Sequence, residues 1–359
     1  VTTRLSFRHP PSAIRHATLA LALVIPALAP AQTPDRTSVA NVALYQGSDR
    51  TQRLIEGARK EGSLSVYTSA TVEDMAVITA AFEKKYGVKV NVYRASSENV
   101  VRRGIAEMRA GRNEADIFET NGPDMESLYR EQLFQEVRSP HLADLVPGAV
   151  APHREWVGAR MNIYVITYNT KLIRKEDLPR SFEDLLNPRW KGKLGIEASD
   201  PAWFAMVVND LGEAKGLKLF RDIVATNGIS VRKGHTLLTQ LVVSGEVPMA
   251  LTTYHYKAEQ YKKDGAPVDW LILPPAVARF QGMGLARRSP RPHAAVLFFD
   301  FMLSDAQELL AKRDFTVTSR KIDSAAQKLP LRFVDPKLVL DESEKWGKLY
   351  AEIVTRQSR

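Results

Sequence analysis

Residues 64–93 read LSVYTSATVEDMAVITAAFEKKYGVKVNVY, and this stretch decides the fold. Residues 64–69 alternate leucine, valine and tyrosine with serine and threonine, the pattern of a strand. In Val72–Tyr86 the residues Met75, Ile78 and Phe82 recur three and four apart, which makes one stripe of a helix, and Gly87 ends it. Val88–Tyr93 then alternates again. Strand, helix and strand in about 30 residues form a βαβ unit, whose strands lie parallel. The unit predicts an α/β protein.

Outward from that unit the pattern repeats. After Tyr93 come Arg94, Ala95, Ser96 and Ser97, then a helix expected to bury Val101, Ile105 and Met108, then Ala115–Phe118 as a short strand ending in Glu119, Thr120, Asn121 and Gly122. Three strand ends thus deliver Thr68-Ser69, Ser96-Ser97 and Thr120-Asn121 to one rim. Each of these small polar residues can cap a helix; three on one sheet edge predict a binding rim, because ligands of open α/β sheets bind at strand carboxyl ends. From Met161 a long alternating strand, NIYVITYNT, leads into a second group of elements. These are a strand at 193–197, helices at 201–211, 218–226 and 235–243, a strand at 247–251, a helix from Tyr254 to Gly265 and a strand at 268–273. A strand at 283–286 and helices at 292–303 and 305–312 return to the first group, and a terminal helix at 342–355 presents Trp346, Leu349 and Ile353 on one face.

The amino terminus differs in kind. Arg4, Arg8 and Arg15 precede an apolar run from Ala17 to Leu28 that ends in Ala29-Pro30-Ala31, the three-part pattern of a secretory signal peptide over residues 1–31. Residues 33–49 are polar, carry Pro34 and Gly47, and predict a mobile leader. No later stretch reaches the roughly 20 apolar residues of a membrane-spanning helix. The 359 residues contain no cysteine, which excludes disulfides, thiolate metal sites and lipid attachment through cysteine. An exported, cysteine-free chain of this size predicts a bacterial periplasmic protein. The formal net charge is +9, but basic residues alternate with acidic ones instead of forming a nucleic-acid stripe. No GxGxxG, P-loop, GxSxG, HExxH or EF-hand loop occurs, so the usual phosphate-binding and catalytic signatures are absent.

The opening stretch, together with ADIFETNG (115–122), YVITYNTKL (164–172), LLNPRWKGKLGI (185–196), VVSGEVPMAL (242–251), GAPVDWLILP (265–274) and HAAVLFFDFMLSDAQELL (293–310), resembles the periplasmic solute-binding proteins of bacterial ABC importers. The branch it resembles holds the ferric-iron-binding proteins, and the similarity runs in order over about residues 62–325. The resemblance implies a two-lobe, type II α/β fold. Each lobe is a mixed, mostly parallel sheet flanked by helices, and two crossing strands form the hinge. It divides the chain into a signal peptide (1–31), a leader and first helix (32–61), lobe 1 (62–162 plus 277–325), lobe 2 (163–276) and a tail (326–359). It also implies a monomer that delivers its ligand to an inner-membrane permease, catalyses nothing and contacts no nucleic acid.

Ligand residues carry over position by position. The adjacent tyrosine pair of the iron-binding members falls on His255-Tyr256, so these two are the candidate metal ligands, with ferric iron as transported ligand and no resident cofactor. Their first-loop histidine falls near Thr71 and their carboxylate near Asn121, so neither ligand type is kept. Their anion loop falls on Ser199–Ala202, where Asp200 stands. Glu197, Asp200 and Glu119 can supply the anionic oxygens that a hard ferric ion prefers. If a helix begins at Thr253, Tyr254, Ala258 and Tyr261 form one stripe and Tyr254 is core. If the strand runs on past Thr252 and Thr253, Tyr254 and Tyr256 share a face and both reach the cleft. Arg94 is either a bidentate clamp for a carboxylate or phosphonate or a surface charge. Trp203 either stacks on a ligand or sits in the core, Tyr164 floors the cleft, and His235 caps a helix. The binding set is therefore Thr68, Ser69, Arg94, Ser96, Ser97, Asn121, Tyr164, Asp200, Trp203, Thr252, Tyr254, His255 and Tyr256. A small organic anion is the alternative ligand. An exported hydrolase using His255 or His235 as base is the alternative of another class, and no nucleophile stands beside either histidine.

Overall fold

The structure, a computed structural model, describes residues 1–2 and 36–355. The expected signal peptide, apart from its first two residues, lies outside the described residues. The chain opens with α1 (Arg36–Ala43) and α2 (Arg50–Glu61), then alternates β1 (Ser63–Thr68), α3 (Val72–Tyr86), β2 (Lys89–Arg94), α4 (Ser97–Arg109), β3 (Ile117–Asn121), α5 (Gly122–Arg130) and β4 (Phe134–Gln135). The long strand β5 (Val157–Asn169) leads to β6 (Leu194–Glu197), α6 (Pro201–Asp210), α7 (Glu213–Asn227), β7 (Ser230–Arg232), α8 (His235–Ser244), β8 (Met249–Tyr254), α9 (His255–Lys263) and β9 (Val268–Leu271). A second long strand, β10 (Ala276–Ala286), returns to α10 (Pro292–Met302), α11 (Asp305–Ala311) and β11 (Thr316–Val317). The carboxyl end adds β12 (Leu331–Phe333), α12 (Pro336–Asp341), α13 (Ser343–Tyr350) and a π-helical turn, Ala351–Thr355.

β1 and β2 pair in parallel from Ser63↔Lys89 to Thr68↔Arg94, and β3 lies parallel on the other side of β1. β10 joins β3 antiparallel. Strand β5 then changes partners along its length: residues up to Ile163 pair with β10, and residues from Tyr164 pair with β8 and β9. β6 lies parallel to both β8 and β7. Two mixed sheet regions flanked by helices are thus joined through β5 and β10. β5 is buried along all of its 13 residues, so its polar side chains lie inside the protein.

Several expectations change in detail. The leader over 33–49 contains α1, which buries Val39 and Ala43 and packs on α10, and the Ala43 carbonyl accepts from the Arg138 N–H at 2.9 Å. The segment is docked, because two small apolar residues one helical turn apart suffice to seat a short helix. On α4 the deepest positions are Val100, Gly104 and Glu107, with Val101, Ile105 and Met108 half-buried. The reason is Gly104: a Cβ there would lie 2.6 Å from the Phe118 ring, so the helix presses its glycine seam onto the sheet. Strand β8 runs three residues beyond the expected end and stops at Tyr254. β10 begins seven residues before the expected 283, since its amino half pairs with β5 and β12.

Candidate functional site

Three helix amino ends from the first sheet region border one side of a cleft of about 600 Å³. Thr71 caps α3 by accepting from Asp74 N–H, Ser96 caps α4 by accepting from Asn99 N–H, and Asn121 caps α5 by accepting from Asp124 N–H. These side chains satisfy amide groups that a helix start otherwise leaves bare. Ser69, Arg94, Ser97 and Lys233 also line the cleft. Arg94 lies at the exposed edge, where its Nε donates to the Ala70 carbonyl at 3.3 Å.

The crossing strands floor the cleft. Successive strand residues face opposite ways, so Arg160 and Asn162 of β5 and Arg279 and Gln281 of β10 present polar side chains to it, while Met161, Ile163 and Phe280 join the core. The floor is wired together. The Gln281 amide donates to Ser69 Oγ at 2.9 Å, the Asn162 amide to Gln281 Oε1 at 3.2 Å, and Arg160 to Asn162 Oδ1 at 2.9 Å and Glu119 Oε1 at 3.1 Å. The Thr68 hydroxyl donates to the other oxygen of Glu119. Thr68 and Glu119 are buried behind the floor and form its anchor. The expected ligand role of Thr68 is therefore corrected, and Glu119 is already engaged.

The opposite wall comes from the second sheet region. Glu197 ends β6, His235 opens α8 and Tyr254 closes β8, and Asp200, which precedes α6, is buried behind them. The Tyr254 and Tyr256 rings lie nearly parallel with centroids 6.0 Å apart, and both line the cleft. The helix starts at His255, yet Tyr254 stays on the cleft because the strand persists through it. Arg279 donates to the Tyr254 hydroxyl and lies over the Tyr164 ring at 5.4 Å, and the Tyr164 hydroxyl donates to Asp200 Oδ1 at 3.3 Å. His235 sits 3.9 Å from Tyr254 between ring centroids and makes no capping bond; its Nδ1 faces the Thr252 carbonyl at 3.2 Å. Tyr256 stacks on Phe315, with centroids 4.1 Å apart.

Burial governs the titration of this wall. Desolvation pushes the Tyr256 phenol up to about 12, and it also raises Tyr254 and Tyr164, against the lowering effect of nearby arginines. Glu197 is raised by burial and then by the neighbouring Asp200. Burial alone would lower His235, but the charges of Asp200 and Glu197 outweigh it and hold the imidazole above its ordinary value. One oxygen or nitrogen from each of Glu197, Asp200 and His235 lies within 4.8 Å of the others, a set able to hold a metal ion.

Three more sequence candidates lie elsewhere. Trp203 is 3% exposed and packs edge-on against Phe182 and Phe220, so it belongs to the core. Thr252 is fully buried and its Oγ1 accepts from the Glu197 N–H at 2.9 Å. His255 faces away from the cleft, edge-on to Trp270 at 4.7 Å, with its pKa lowered by burial. Tyr256 lines the cleft while His255 packs on Trp270, so the two do not share a site here. The floor residues Arg160, Asn162, Arg279 and Gln281 lie outside the expected binding set; their signal in the sequence is polar residues at alternate positions of otherwise apolar strands.

The profile of the bacterial extracellular solute-binding protein family matches residues 68–309. The chain belongs to that family. Solute-binding proteins bind their solute and make or break no bond in it, so this protein is not an enzyme. Among its relatives are the Fe(3+)-binding periplasmic protein of Serratia marcescens, 24% identical over 89% of this chain and 97% of the relative, and iron uptake protein A1 of Synechocystis sp., 25% identical over 71% and 75%. Among solved structures, iron-bound HitA from Pseudomonas aeruginosa is similar with a TM-score of 0.69, 21% identity, and coverage of 81% of this chain and 99% of that one. AfuA from Actinobacillus pleuropneumoniae, with fructose-6-phosphate bound, is similar with a TM-score of 0.73, 20% identity, and coverage of 82% and 99%. In this solute-binding protein the cleft between the two sheet regions is the candidate solute site.

Proposed function

We propose that this protein captures ferric iron together with a small anion in the cleft and delivers them, as a periplasmic monomer, to the permease of an ABC importer in the inner membrane. The observation that carries the reading is the pair Tyr254 and Tyr256, two phenols on one cleft wall with arginines beside them. Ferric iron prefers anionic oxygen donors, and a phenolate forms more readily beside a guanidinium. The names of the Serratia and Synechocystis relatives support the same cargo. Arg94, Arg160, Lys233 and Arg279 line the cleft and would balance the anion. Export through residues 1–31 and a division into lobes near residues 163 and 276 belong to the same proposal.

Those four cations also favour a second reading, a phosphorylated organic anion without metal, in line with the sugar phosphate in AfuA. Titration of the apo protein with ferric citrate and, separately, with sugar phosphates and inorganic phosphate separates the two. The iron reading expects a visible tyrosinate-to-iron absorption band and release of protons, since both phenols are protonated at neutral pH in the free protein. It also expects about 2.7 kcal/mol of stabilisation at 100 times the dissociation constant. A protein that stays colourless with ferric citrate but is stabilised by a sugar phosphate would overturn it.

A further inference from the structure

We propose that Glu197, Asp200 and His235 supply the non-phenolate ligands of the bound cation. The ion would then be held by two carboxylates, an imidazole and the tyrosines from one side of the cleft only. The inference rests on the iron reading and names the ligand set for it.

The first argument is the tautomer of His235. The Thr252 carbonyl oxygen 3.2 Å from Nδ1 can only accept, so Nδ1 carries a hydrogen. Nε2 points at Asp200 Oδ1, 3.4 Å away. With Nδ1 engaged by the carbonyl, Nε2 is the ring nitrogen turned toward the carboxylates and the one placed to ligate. An imidazole whose far nitrogen donates to a backbone carbonyl is also the usual outer arrangement around a metal-bound histidine. The second argument is independent. Asp200 is 1% exposed, and its Oδ2 has no hydrogen-bond partner. A buried carboxylate oxygen left bare is costly, and a cation bound there would satisfy it.

Glu197 completes the set. Its Oε1 accepts from Gly234 N–H at 2.8 Å and its Oε2 from Ser199 N–H, which orients the carboxylate and leaves a lone pair on each oxygen. Metal–ligand bonds of about 2.0–2.2 Å allow donors on one ion to lie up to roughly 4.4 Å apart. The present spread of 4.8 Å therefore closes by less than half an ångström on binding. All five donors come from residues 197–256, whereas Arg94, Ser96 and Ser97 stand across the cleft. The cation can therefore bind before the two sides approach.

The test is ferric uptake from citrate by the full-length mature protein, with bound iron quantified after dialysis, and X-ray absorption of the loaded wild type. The expected result is imidazole scattering in the iron shell and at least about 100-fold weaker uptake by Asp200→Asn and by His235→Gln, since loss of outer partners alone costs 10–100-fold. The wild-type spectrum needs no variant, so misfolding of either substitution leaves the test intact. Iron bound in an all-oxygen shell would overturn the ligand set while leaving the iron reading standing, as would full uptake by both variants. No ferric uptake by the wild type overturns both.

Discussion

Glu119 is the residue on which the cleft floor hangs. At 3% exposure it holds Arg160 at 3.1 Å and accepts from Thr68, and through Arg160 it orders Asn162, Gln281 and Ser69. Removing one member of a buried ion pair strands the other charge in a low dielectric. Glu119→Gln is therefore expected to lose about 3 kcal/mol or more of unfolding free energy in urea; a loss under about 1 kcal/mol would mean that Arg160 finds another partner. The sequence made Glu119 a candidate metal ligand because it ends a strand at the rim. Residue type and position cannot reveal that two neighbours from other strands already occupy both of its oxygens. Tyr254 and Tyr256 are the opposite case. Spacing left two readings of Tyr254, and the choice fell to where β8 yields to α9, one peptide unit beyond the tyrosine.

At the scale of elements, the carboxyl-terminal helix was legible as amphipathic, but its docking place was not. α13 and the turn after it bury Trp346, Tyr350, Ile353 and Val354 against α6 and α7. Phe204 meets Trp346 at 6.2 Å and Tyr350 at 5.5 Å, both edge-on, and the Tyr350 hydroxyl donates to the Glu197 carbonyl. The tail thereby braces the turn that carries Glu197 and Asp200 from behind. Trp346→Ala removes a nearly fully buried ring and should cost about 3–5 kcal/mol. Chemical denaturation measures this directly, and a cost near zero would mean that the helix is not docked in solution. α4 shows the converse limit of periodicity. Its apolar stripe was read one residue away from the buried face, because hydrophobicity marks the bulky residues and Gly104, which sets the approach to Phe118, carries no apolar side chain.

For the whole molecule, the two sheet regions are joined through β5 and β10, and β5 changes partners between Ile163 and Tyr164. A twist of these strands would move one cleft wall against the other, as in a hinge motion. Saturating ligand is therefore expected to lower the radius of gyration in solution scattering, and an unchanged value would mean capture without closure. The order of strands and helices, the α/β class and the rim of strand ends all follow from local patterns: periods of 2 and 3.6, glycine stops and capping residues, which neighbouring residues impose on one another. The membership of the site does not. Arg160, Asn162, Arg279 and Gln281 meet His235 and Tyr254 across tens of residues of chain, and contacts that distant leave no period in a single sequence. Whether a polar residue caps a helix, braces a strand or faces the solute depends on which partner folding brings beside it. For that reason Trp203, Thr252 and His255 resemble ligands in the sequence and serve the core in the protein, while His235, which reads as a cap, stands at the cleft beside two carboxylates.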